Sequence, residues 1–179
     1  MRGAIAAAIF CVSAAPVVAE TWHDLTPGEA WVFAGDWVGM CQVDQPFQCH
    51  AQTTVGAQDD AGPGQVTLWW EPWGDEGYSL TFFATGAPQK IGGSVSMTID
   101  GSEMTLAEDE DYFANWGEYD DPSHMISIGE PLVVDTLVED MKSGQSLVWD
   151  WGEGQLVVPL AGFARTFEAV TTYRRELLE

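Results

Sequence analysis

A chain of 179 residues is long enough to bury one sizeable core and too short for two domains of ordinary size. Its 28 acidic residues against six basic ones, a formal net charge of −22, set long-range repulsion against nucleic acid and anionic lipid. Between a solvated acidic surface and a specific cationic partner, composition favours the first and names no partner.

Arg2 opens a run of small and apolar residues from Gly3 to Ala15 that Pro16 breaks, and Val17-Val18-Ala19 places modest side chains before Glu20. This pattern reads as a signal peptide over 1–19 with cleavage after Ala19, leaving one domain over 20–179. The alternative, a membrane anchor, is disfavoured because the run falls short of the ~20 apolar residues a spanning helix needs. No transmembrane segment is expected after cleavage. Loss of Arg2 with the leader turns six bases into five, so the exported part carries a formal charge of −23. Cys11 also leaves, and the odd count of three cysteines becomes a pair, Cys41 and Cys49. In an oxidising compartment thiols so placed are expected to join, closing a short loop at a stabilisation of roughly 2–3 kcal/mol.

Past a polar leader, Trp31–Met40 reads as one strand running into Cys41, and Gln48–Val55 as its returning partner, so the disulfide would staple a hairpin. Asp59, Asp60, Gly62, Pro63 and Gly64 give loop chemistry over Gln58–Gly64. Val66, Leu68 and Trp70 then alternate with Thr67, Trp69 and Glu71, and Leu80, Phe82 and Ala84 repeat the period of two. The clearest strand sets Val95, Met97 and Ile99 against Ser94, Ser96, Thr98 and Asp100. No steady period survives from Glu108 to Pro122, which reads as a long acidic surface loop followed by a short strand over Ser123–Ile128. Pro131 opens a helix whose stripe is Val134, Leu137, Val138 and Met141, with Gly144 placed to stop it. Leu147, Trp149 and Trp151 resume alternation, Gly152-Glu153-Gly154 turns the chain, and Leu156 and Val158 follow on a paired strand. Phe163, Phe167 and Val170 mark a closing helix, with Arg174 and Arg175 near its carboxyl end.

Candidate chemistry is sparse. His23, His50 and His124 lack the paired spacing of metal ligands, and a metal between His50 and the cysteines would need free thiolates, which a disulfide removes; no metal and no cofactor are expected. No serine lies in a nucleophile elbow, no glycine-rich phosphate cradle appears, and the two cysteines do not form C-x-x-C. Acid pairs such as Glu108 with Asp111 are what so acidic a composition supplies anyway, and they do not read as an EF-hand loop. Nine tryptophans are too many for all to be buried fully in one small core. Trp69 and Trp70 point to opposite sides of a strand, whereas Trp149 and Trp151 share a side and stand as possible ligand contacts. The competing reading is that these rings fill the space between layers.

Gly35-Asp36-Trp37, then Cys41, Cys49 and Gln52, resemble the opening of the invasion-associated locus B family of exported proteobacterial proteins. V-S-M-T-I-D-G over Val95–Gly101, D-T-L-V-E-D-M-K-S-G-Q-S-L over Asp135–Leu147 and V-P-L-A-G-F over Val158–Phe163 are similar to later family segments. Together these pieces run from about 31 to 170 in family order. The resemblance implies pairing of Cys41 with Cys49 and a mainly β, β-sandwich-like antiparallel domain with one or two short helices. It implies no catalytic residue. Many members carry a second cysteine pair in mid-chain, which Thr105–Ile128 lacks.

The resulting expectation is a non-enzymatic envelope protein, periplasmic or secreted, that acts through contacts with another protein or a cell-envelope component and not with nucleic acid. The alternative is a carbohydrate-binding module using exposed tryptophans, with Trp149 and Trp151 nominated. A hydrolase working through acid pairs, Asp111 among them, is the third reading.

Overall fold

Alternation at a period of two, with apolar residues on the inward side, makes this chain a β protein, and a computed structural model shows how the strands are joined. It describes residues 20–44, 47–58, 62–70, 77–87, 91, 93–114 and 125–179. In chain order the elements are β1 (Trp22–Thr26), β2 (Glu29–Ala34), β3 (Trp37–Gln42), β4 (Cys49–Gln58), β5 (Gly62–Trp70), β6 (Tyr78–Ala84), β7 (Ser94–Ile99), β8 (Ser102–Ala107), β9 (Phe113–Ala114), β10 (Met125–Ile128), α1 (Pro131–Ser143), β11 (Ser146–Asp150), β12 (Gln155–Pro159) and α2 (Phe163–Leu178). They form an eight-stranded sheet, β1-β2-β3-β4-β5-β6-β10-β9, and a four-stranded sheet, β12-β11-β7-β8, with every pairing antiparallel. The expected β-sandwich-like class with two helices is what the chain adopts.

The layers meet through large side chains. Phe82 of the large sheet packs on Trp149 of the small one, ring centres 5.8 Å apart, and Leu156 of β12 lies over the bare backbone of Gly64 in β5. Helix α2 covers the rest of the inner face: Phe163 meets Trp37 edge-on at 4.7 Å, Phe167 meets Trp70 at 5.4 Å, and Tyr173 stacks on Trp22 at 4.2 Å. The stripe read for α1, Val134, Leu137, Val138 and Met141, is buried in full. Gly144 ends that helix in extended rather than left-handed conformation, so its role is space: a Cβ there would press on Ile99 and Leu160.

Two expectations change. Trp31–Met40 is two strands rather than one, because Gly35 takes φ 59° and turns the chain between Ala34 and Trp37. That turn is locked to the β12–α2 turn: Asp36 N–H donates to the Ala161 carbonyl at 2.8 Å, and Gly162, at φ 97°, has the Ala34 carbonyl where a Cβ would stand. A left-handed backbone and a close approach coincide there, which only glycine tolerates. The acidic loop is also shorter than read. Phe113–Ala114 pairs with β10, Tyr112 is buried, and the Asp111 carboxylate accepts the Ala107 N–H at 2.9 Å. Residues 115–124, including His124, lie outside the described residues. The polar leader before Trp31 contributes β1, and β8, unforeseen, follows a two-residue turn in which Asp100 and Gly101 both have positive φ, the hairpin chemistry of Asp-Gly.

Candidate functional site

Cys41 and Cys49 stand directly opposite on β3 and β4 and are joined, so the disulfide staples the hairpin as expected. Both are buried on the inner face. Trp149 and Trp151 correct the expectation attached to them. Trp149 has no exposed surface and Trp151 only 8 %, and the two rings meet edge-on at 4.9 Å inside the layer between the sheets. They are core residues, as in the reading that these rings fill the space between layers. Among the described residues Trp69, named only for its opposition to Trp70, is the exposed tryptophan, at 39 %.

The small sheet and both helices pack on one face of the large sheet, and no described strand or helix packs on its other face. Because directly opposed residues of antiparallel strands share a face, the registers give that face row by row. One row is His23, Trp31, Met40, His50, Trp69 and Ser79. The next is Phe33, Val38, Gln52, Thr67, Thr81 and Ser127, continuing to Phe113 at the edge. A third is Thr54, Gln65, Phe83 and Met125. None of these residues is an acid, a lysine or an arginine, in a chain with 28 acids and six bases. Glu29, at a corner, is a charge on this side among the described residues, and its carboxylate accepts the Trp31 indole N–H at 3.2 Å.

From β1 to β9 the three rows cross seven strand spacings and run four residues along the strands, roughly 33 by 14 Å. A shallow groove of about 400 Å³ runs across β5, β6 and β10, lined by Gln65, Thr67, Trp69, Thr81, Phe83 and Ser127 among others. Its floor is fixed in place. The Gln65 amide donates to Gln52 Oε1 and to Thr67 Oγ1, both at 3.0 Å, and Trp69 leans on the His50 ring at 4.6 Å.

His50 is 6 % exposed, and its Nδ1 has no hydrogen-bond partner among the described residues. Burial lowers its pKa below the ordinary 6.5, with the Glu29 carboxylate pulling weakly the other way. The unfolded chain therefore takes up the proton first on acidification. The contribution of a neutral His50 is complete above about pH 6.5 and shrinks as pH falls below it. Urea titrations at pH 7.5 and pH 5.5 should show wild type losing stability relative to His50→Gln, by at most about 1.4 kcal/mol per pH unit. A pH-independent difference between the two proteins would contradict this placement of the imidazole.

His23 lies at the exposed edge, with its ring 6.0 Å from Phe33, and no group of three His, Cys, Asp or Glu side chains among the described residues could hold a metal. No helix among the described residues is long and apolar enough to cross a membrane. Sequence reasoning did not find the open face. The signal for it was present, every second residue of β3 through β6 and all but Glu29 in β2 being uncharged, but it is visible only once strand registers align those residues. Compared with protein-family models, with curated proteins and with solved structures, the chain matches none.

Proposed function

We propose that this protein is a non-enzymatic contact module of the cell envelope, exported to the periplasm or beyond, whose working surface is the open face of the eight-stranded sheet. The carrying observation is the absence of charge from three successive cross-strand rows that also expose Phe33 and Trp69. Solvated sheet faces ordinarily carry Lys and Glu, and an apolar patch left open marks a contact site. Three further features support the reading. The leader pattern directs export, the Cys41–Cys49 disulfide belongs to an oxidising compartment, and the segments around Gly35-Asp36-Trp37 and Val95–Gly101 resemble an exported envelope family.

The test is retention on envelope fragments from the producing cells, measured by co-sedimentation. Thr81→Glu puts a charge in the middle of the face, and Thr136→Glu puts the same charge on the exposed side of α1. Wild type and Thr136→Glu should be retained equally, while Thr81→Glu should fall at least fivefold. Equal retention of all three, or retention of none, would remove the open face from the account.

A further inference from the structure

We infer that the occupant of the open-face groove is a neutral glycan, a conclusion that rests on the contact function assigned above to the same face and names its ligand class. The first reason is charge. A net charge of −22 repels anionic chains at a distance, and three rows that hold no carboxylate, with Glu29 at a corner already bonded to the Trp31 indole, give a cationic ligand little to pair with. A protein partner would bring ionic groups of its own, and burying them against unpaired amides and hydroxyls is costly. A ligand made of hydroxyls and C–H faces meets no such penalty.

The second reason is size. The rows span roughly 33 by 14 Å from β1 to β9, on the order of 460 Å² in projection. A stable protein interface takes about 800 Å² from each side. A protein docked here would have to spread beyond the three rows, whereas an extended oligosaccharide lying along the groove needs only a narrow strip.

The third is the chemistry of the lining. Trp69 offers a ring that His50 holds at a fixed tilt, suited to the C–H face of a pyranose, since the negative face of an indole attracts positively polarised edges. Beside it stand the hydroxyls of Thr67, Thr81 and Ser127 and the Gln65 amide, whose plane is set by its hydrogen bonds to Gln52 and Thr67. A few fixed polar groups around an apolar platform are the usual composition of a small-ligand site. The carbohydrate alternative raised by the tryptophan count thus moves from Trp149 and Trp151, which are buried, to Trp69.

The experiment is calorimetric titration of the purified protein with hexasaccharides of α-1,4-glucose, β-1,4-glucose and β-1,4-mannose, alongside hexagalacturonate as the anionic counterpart. At least one neutral hexasaccharide should bind and hexagalacturonate should not. Trp69→Ala should weaken that binding at least tenfold and Gln65→Ala at least threefold, with Leu132→Ala on α1 unchanged. Melting curves of each variant establish that it is folded. No binding by any neutral hexasaccharide, or binding that survives Trp69→Ala, overturns the inference. If the saccharides fail while Thr81→Glu still abolishes envelope retention, the glycan is wrong and the open face stands; if retention is also insensitive, both fall.

Discussion

Trp37→Ala should destabilise the protein by about 3–5 kcal/mol, the largest loss expected from any single side chain described above. Trp37 is the first residue of β3, fully buried, and it ties that strand to two other elements. Its ring meets Phe163 of α2 edge-on, and its indole N–H donates to the carbonyl of Pro159, the last residue of β12, at 2.9 Å. Truncation therefore opens a cavity where the two sheets and α2 converge, and it strips a partner from a half-buried carbonyl, a loss of about 1 kcal/mol on its own. Those two effects overlap and should not be summed. Trp37→Phe keeps most of the ring and loses the hydrogen bond, so it should fall well short of the alanine variant. Urea midpoints at constant slope measure both. An alanine variant within about 1 kcal/mol of wild type would mean that the β3, β12 and α2 junction is not packed as described.

Removal of the disulfide comes next. Cys41 and Cys49 are separated by eight positions, and closing a loop of that length restricts the unfolded chain by roughly 2–3 kcal/mol. In a protein of this size that corresponds to a fall in melting temperature of about 5–10 °C for Cys41→Ala/Cys49→Ala. The pair sits at the last rung before the hairpin turn, next to the Gln42 N–H that donates to the Gln48 carbonyl at 2.8 Å, so the fold already holds those residues together. The loss should accordingly lie in the unfolded state, leaving the open face intact. A reducing agent should lower the melting temperature of wild type by a similar amount and leave the double variant where it is. Equal sensitivity of both proteins to reductant would contradict the assignment.

Much of the architecture was legible because local pattern and tertiary environment agree. Val95, Met97 and Ile99 alternate with serines and threonine, and they are buried as β7; the four-residue stripe of α1 is buried as read. Cysteine arithmetic found the staple. The failures share one physical origin, which is that a periodicity shows how residues divide between two faces but not which face is covered. Trp149 and Trp151 share a side, as read, and that side turned out to be the one against Phe82. The break at Gly35 hid inside Trp31–Met40 because the two strands it joins are both apolar on the inner side, so the run looks continuous. The uncharged face was the hardest to see, since His50 meets Trp69 and Gln52 meets Thr67 only after β4 and β5 are paired in register.

The central claim is that the open face of the large sheet, and no other surface, makes the protein's contacts. Hydroxyl-radical footprinting of the protein bound to envelope fragments tests it most directly, because exposed apolar side chains report from several sides at once. Phe33 and Trp69 mark the open face, and Leu132 and Leu178 mark the two helices. Binding should suppress oxidation of Phe33 and Trp69 and leave Leu132 and Leu178 unchanged; protection of the helix leucines with Trp69 still oxidised at its free rate would contradict the account.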